Sequence, residues 1–181
     1  MQTLIEIFGF TTLENSVWNA TAYLAFINII VGVFWERGRN TLITIGAGTL
    51  SLYAGVFLHN YLFTALQVLI VISGILQWIK ISQRPAMITM TLLTVATYIF
   101  LATNGIINDI WAFTGSLGLL GIAFGLIILP KHYGFIIMAI GGVFLVLYAF
   151  NVQAWVFFLL NIFFAIANIY TWRKVITNKS V

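Results

Sequence analysis

The chain has 181 residues, 62% of them hydrophobic, with 8 Lys or Arg against 4 Asp or Glu and a net charge of +4. A soluble domain has about a quarter of its residues charged; at 7% this chain has no polar skin to face water, which excludes a water-soluble enzyme or nucleic-acid-binding domain. It has no cysteine, which excludes disulfides, thiolate catalysis and Cys-based metal sites.

Hydrocarbon must replace water around such a chain, and only helices or closed barrels satisfy their backbone there. Barrel strands alternate apolar and polar residues. Segments such as 158–167 are apolar on every side and predict helices. At about 20 residues per span, the chain holds seven transmembrane helices. Residues 1–13 lack the basic start and cleavage site of a signal peptide and read as a short amphipathic lead-in. The first span covers 15–35 and closes on the polar knot Glu36-Arg37-Gly38-Arg39-Asn40. The second covers 41–58 and stops at His59-Asn60; the third covers 61–81 and ends at Ser82-Gln83-Arg84-Pro85. Pro85 suits the first turn of the fourth, 86–103, where no amide bond is lost. The fifth starts near Asp109, an expected N-cap, and stops at Pro130-Lys131-His132. The sixth covers 133–150 and the seventh 152–172, before a polar tail.

Charge placement fixes an orientation. With the N-terminus outside, the inner segments hold Arg37, Arg39, Lys80, Arg84, Lys131, Arg173, Lys174 and Lys179, which is every Lys and Arg in the chain. The outer segments hold Glu6, Glu14 and Asp109 and no cation. The positive-inside rule thus predicts N-out, C-in.

The sequence also repeats itself. Leu52-Tyr53-Ala54 recurs as Leu147-Tyr148-Ala149. After one gap, Gln67, Ile72, Ile75, Trp78 and Lys80 meet Asn161, Ile166, Ile169, Trp172 and Lys174. A period of about 95 residues spans four helices, so the copies cross the membrane in the same sense, as parallel repeats. The predicted fold class is an all-α integral membrane protein with a 3+1+3 plan. A first three-helix unit (14–82) and a second (108–176) flank a connecting helix (83–107), with a lead-in at 1–13 and a tail at 177–181.

No catalytic constellation stands out. His59 and His132 lie at opposite faces of the membrane in this arrangement and cannot share a metal, and no cofactor motif is present. No acidic residue lies within a span, where a proton or sodium relay would need one. What remains is a passive pathway for an uncharged or zwitterionic solute. The intramembrane amides are its candidates: Gln67 and Asn161 at equivalent repeat positions, Asn168 seven residues beyond Asn161, and Asn28 in the first span. Asn161, Asn168 and Trp172 share one face of the seventh helix. Each amide either bonds a solute or serves as interhelical glue, worth about 1 kcal/mol. Trp78 and Trp172 read as an interface belt or as a stacking wall at an inner pore mouth. Tyr53 and Tyr148 carry the same two readings on the outer side. Ser51, Thr114 and Ser116 contact solute or bond their own helix. Glycines at 46, 48, 115, 118, 121, 125, 141 and 142 permit close helix contact.

The pattern resembles the bacterial PnuC-type vitamin transporters and, more remotely, the SWEET sugar transporters. Asp109-Ile110-Trp111-Ala112, Ser116 and Leu129-Pro130-Lys131 are similar to the PnuC-type fifth helix and its loop. Leu147-Tyr148 is like the end of its sixth. Gln67 with Gly74 and Trp78 resembles its third-helix ending, and Trp172-Arg173-Lys174 its terminus. The chain departs from the family at its sixth helix, where paired tryptophans and a polar residue give way to Gly134, Ile137 and Gly141. The resemblance implies facilitated diffusion of nicotinamide riboside or a related vitamin across a bacterial inner membrane, a possible homotrimer, and no enzymatic activity. Alternating access would rock the two units around a site between spans two, three, six and seven. Small-molecule solute and lipid bilayer are then the partners, and nucleic acid is not one. The rival expectation is a non-transporting scaffold or accessory subunit of a membrane complex.

Overall fold

A computed structural model of the chain describes residues 10–35, 38–128 and 131–177. Glu36-Arg37 of the polar knot, Leu129-Pro130, most of the lead-in and the tail from Asn178 lie outside the described residues. Among the described residues seven α-helices follow in the predicted order: α1 (Leu13–Phe34), α2 (Arg39–Leu52) continued by a π turn (Tyr53–Phe57), α3 (Tyr61–Trp78), α4 (Gln83–Thr103), α5 (Ile110–Ile128), α6 (His132–Asn151) and α7 (Trp155–Thr177). Among the described residues there is no strand.

Among the described residues five helices are long and apolar enough to cross a membrane: α2 with its π turn over Asn40–Phe57, α3, α4, α6 and α7. The chain is therefore a helical, multi-pass membrane protein. Helix α5, of 19 residues, is a further apolar helix. Helix α1 has 22 residues but carries Glu14, Asn15, Asn19 and Asn28 along its length.

Local chemistry explains the helix ends. Asp109 caps α5 as expected, its Oδ1 accepting from the Ala112 amide at 2.7 Å, and Pro85 falls in the first turn of α4. Most ends shift by one to three residues from the sequence reading, and two shifts have a backbone cause. Helix α3 stops at Trp78, short of Ile81, because Lys80 turns left-handed at φ 52°. Helix α7 starts at Trp155, later than predicted, because Gln153 is left-handed at φ 55°. It then runs on through Arg173 to Thr177, with Lys174 in its last turn, where a cation favours the helix dipole.

The described chain divides into two compact units, one ending at Gly74 and the other starting at Ile75. In the first, α1 packs on α2. A Cβ on Gly46 would stand 2.7 Å from the Ala25 carbonyl, so the two backbones meet there. In the second, α6 is the centre and packs on both α5 and α7. A Cβ on Gly141 would lie 2.8 Å from both the Gly118 carbonyl and the Ile122 amide of α5. Its neighbour Gly142 turns to α7, where a Cβ would stand 3.3 Å from the Ala165 methyl.

Burial follows the internal repeat. Ala47, Leu50, Tyr53 and Ala54 are buried in the first unit, and Gly142, Leu145, Tyr148 and Ala149 in the second. Phe63, Leu66 and Gln67 are likewise matched by Phe157, Leu160 and Asn161.

The π turn accounts for the gap in the repeat. In the second unit Val152 N donates to Tyr148 O at 3.0 Å and Ala154 N to Ala149 O at 2.9 Å. In the first, Leu58 N donates to Tyr53 O at 3.0 Å and Asn60 N to Ala54 O at 2.8 Å. Each bond spans one residue more. Both turns then pass through a left-handed residue, His59 (φ 50°) or Gln153 (φ 55°). The first unit fits four residues, 55–58, where the second has three, 150–152, and widening one turn from α to π takes up the extra residue. Deleting Gly55 is expected to close the turn to α geometry and leave a folded protein. Deleting Ala139 from regular α6 rotates all that follows by about 100° and is expected to abolish folding. Monodispersity on size exclusion in detergent measures both.

Candidate functional site

In the first unit, Asn40, Thr44, Gly48, Ser51 and Gly55 recur at spacings of three and four on α2 and its π turn. On α3, Thr64, Gln67, Val71 and Gly74 do the same. That periodicity makes each set one stripe, and the stripes face each other. Asn40 Nδ2 donates to the Gly74 carbonyl at 3.0 Å, the Thr44 side chain packs against Gly74, Gly48 faces Val71, and Gly55 faces Thr64. Gly74 is required here, since a Cβ would overlap the Thr44 hydroxyl.

Two polar atoms on these stripes have no partner. Gln67 is 1% exposed and its Oε1 accepts no hydrogen bond; Thr44 is also buried, with its Oγ1 unpartnered. Such groups cost about 1–3 kcal/mol each when left unsatisfied, and in native structures they call for an explanation.

Tyr53 is buried and donates its hydroxyl to Asn19 Oδ1 at 2.6 Å, while Asn19 Nδ2 donates to Asn15 O at 2.8 Å. The sequence reading named Tyr53 but not Asn19 or Thr44. The i, i+4 spacing of Asn15 with Asn19 and of Asn40 with Thr44 was the available signal. Phe57 stacks between Tyr53 and Trp18, at 5.4 and 5.8 Å between ring centroids. Tyr53→Phe removes one buried interhelical hydrogen bond of about 1 kcal/mol. It is expected to lower the melting temperature by roughly 2–4 °C for a chain of this length, as read by a thermal melt in detergent.

In the second unit Asn161 and Asn168 are 3% and 7% exposed on one face of α7, as their spacing predicts. Asn161 Nδ2 donates to Phe157 O at 2.7 Å and Asn168 Nδ2 to Phe164 O at 2.8 Å. Each amide thus turns its NH2 back onto its own helix and directs its carbonyl oxygen the other way. Ser116 is fully buried and its hydroxyl donates to Phe113 O at 2.7 Å, bonding its own helix. Tyr148 is buried, Trp172 and Asn28 are half-buried, and Trp78 is 47% exposed.

The buried polar side chains among the described residues are Asn19, Thr44, Gln67, Thr94, Ser116, Asn161 and Asn168. None carries a charge. Among the described residues no group of three His, Asp or Glu side chains could hold a metal. The chemistry these buried side chains offer is hydrogen bonding.

Neither a protein-family model, nor a curated protein, nor a solved structure matches the chain. The likeness to PnuC-type transporters rests on the residues quoted above alone.

Proposed function

We propose that the protein is a passive membrane transporter that carries a small uncharged or zwitterionic solute by facilitated diffusion and alternating access. The observation that carries this reading is Gln67, whose carbonyl oxygen is buried without a donor on a stripe that otherwise pairs closely with α2. A structural amide is expected to find a partner within the fold; an amide that waits for a solute is not. Asn161 at the equivalent repeat position, and Asn168 two turns on, take the same role in the second unit. Trp78 and Trp172 would stack or gate on the inner side, and Tyr53, Tyr148, Asn28 and Ser116 would complete the polar lining.

The proposal includes seven spans, N-out and C-in, in two parallel three-helix repeats joined by α4. The sorting of all Lys and Arg to one side supports the orientation. The matched burial and the turns that differ by one residue support the repeat. The resemblance to PnuC-type proteins adds a vitamin or nucleoside-like solute such as nicotinamide riboside and a bacterial inner membrane. Time-resolved uptake of labelled nicotinamide riboside, thiamine and riboflavin into proteoliposomes tests it, with counterflow expected for one of them and no dependence on a proton or sodium gradient.

The rival is a scaffold or accessory subunit of a membrane complex. It draws on Asn161, Asn168 and Ser116, each of which already donates a hydrogen bond within its own helix. Tight folding with no uptake of any solute, and co-purification with a stable partner, would favour it.

A further inference from the structure

One end of the second unit carries three exposed cations from two helices. A three-residue connection, 152–154, folds α7 back along α6, and Gly142 of α6 meets α7 at the Ala165 methyl. From that meeting point α6 runs back eleven residues to Lys131, about 16 Å. Helix α7 runs on eight and nine residues to Arg173 and Lys174, about 12 and 14 Å. The three side chains are therefore level to within about one helical turn, and all three are exposed. Packed helices lie about 8–10 Å apart, so long side chains from both can close on one group. The Tyr133 ring steadies Lys131, with Nζ 5.9 Å from its centroid.

No acidic side chain of this unit balances that charge. Asp109 is the only acid in 75–181. It precedes α5, whose far end packs on the start of α6: a Cβ on Gly125 would lie 2.8 Å from the Gly134 carbonyl. The 19 residues of α5 thus hold Asp109 about 28 Å away, well past a Debye length of about 8 Å. Helix electrostatics account for Lys174 and not for Lys131. Lys174 is in the last turn of α7, where the dipole favours a cation. Lys131 is the N-cap residue of α6 and makes no side-chain cap bond, at the end where the dipole disfavours it. Both α6 and α7 are long and apolar enough to cross a membrane, so their cationic end lies at a bilayer surface. Tyr133 and Tyr170 are exposed near the cations, and Ile140, Val143, Phe163 and Ile166 are exposed further along the same helices. Aromatic rings at headgroup level above apolar surface suit a lipid rather than a free ion.

We infer that this end of the second unit binds the headgroup of an anionic phospholipid, its phosphate held by Lys131, Arg173 and Lys174 and its acyl chains lying along α6 and α7. Phosphate oxygens accept charge-assisted hydrogen bonds from Arg and Lys, and a headgroup with net negative charge supplies the counter-charge that the unit lacks. A choline headgroup carries its own cation and gains less. The inference is independent of the transport reading and holds for a carrier and for a scaffold alike.

The test titrates the delipidated full-length protein in detergent with phosphatidylglycerol, with phosphatidylcholine of the same acyl chains, and with glycerol 1-phosphate. The readout is the melting temperature, which rises with any ligand that binds only the folded protein. Phosphatidylglycerol is expected to raise it saturably, with an affinity about tenfold or more above that of phosphatidylcholine. Glycerol 1-phosphate is expected to give no shift at the same concentrations. Lys131→Gln, Arg173→Gln and Lys174→Gln are each expected to weaken phosphatidylglycerol by about fivefold, and together by on the order of a hundredfold. Lys131→Arg keeps the charge and is expected to keep the affinity. Arg39→Gln makes the same charge change on the first unit and is expected to leave the affinity within about twofold. Equal stabilisation by phosphatidylcholine, or wild-type affinity in the triple variant, overturns the inference. Equal stabilisation by glycerol 1-phosphate overturns it in favour of a free-phosphate site. An equal loss with Arg39→Gln overturns it in favour of diffuse surface charge.

Discussion

Alanine at both Gln67 and Asn161 is expected to reduce uptake by about a hundredfold or more while the protein inserts and stays folded. In the proposed role each side chain supplies one hydrogen bond to solute, and an unpaired polar group on a desolvated solute costs about 1–3 kcal/mol. Two such losses multiply, at about tenfold for each 1.4 kcal/mol. The fold has less at stake. The Gln67 carbonyl has no hydrogen bond within the protein to lose, and Asn161 gives up one bond to a turn of its own helix, where the backbone pairing persists. Uptake into proteoliposomes, beside the melting temperature of the same preparation, measures the two effects apart. Uptake within about twofold of wild type on well-folded protein would end the case for these amides as solute ligands and leave them as glue.

Gly141→Val is expected to prevent folding of the second unit, and Gly141→Ala to lower the melting temperature by roughly 2–12 °C. A Cβ there meets the Gly118 carbonyl and the Ile122 amide at 2.8 Å and the Gly121 carbonyl carbon at 3.1 Å. All three are backbone atoms, so no rotamer change relieves the clash and the helices must move apart. Helix association in a membrane relies on van der Waals packing rather than hydrophobic burial, so separation forfeits the main attraction between α5 and α6. Overpacking of this kind costs about 1–3 kcal/mol, and each kcal/mol is worth about 2–4 °C here. Gly48→Ala is the control: its Cβ would find only the Val71 methyl, at 3.9 Å, an ordinary contact. If Gly48→Ala destabilises as much as Gly141→Ala, close approach at Gly141 is not what holds these helices.

The sequence already displayed the features that depend on solvation. An apolar run has no alternative to helix in hydrocarbon, so the order of seven helices was legible. A bare amide in lipid is too costly to face outward, so the burial of Gln67, Asn161 and Asn168 was legible as well. Asp109 and Pro85 marked helix starts through their own backbone chemistry. Pairings between helices were not legible. Asn19 and Tyr53 stand 34 residues apart, and periodicity along one helix says nothing about which residue lies opposite. The contact of Thr44 with Gly74 was hidden for the same reason, since it is set by the packing of two helices; only the spacing of Thr44 from Asn40 marked that residue. The gap in the repeat was visible, but its position was not. Nor were the left-handed residues His59, Lys80 and Gln153, whose side chains carry no preference strong enough to announce that conformation.

The π turn has a consequence for how the halves are compared. A register carried unbroken from Tyr53 and Tyr148 through the following helix sets Gln67 against Ile162 and Trp78 against Arg173. Chemically alike positions then look unrelated, and the likeness of the α3 sequence to that of α7 vanishes from view. Placing the gap at 55–58 restores every pairing beyond it. Any effort to trace an ancestral single-unit gene, or to build a symmetrised version of this protein from one half, must therefore first decide whether that fourth residue stays.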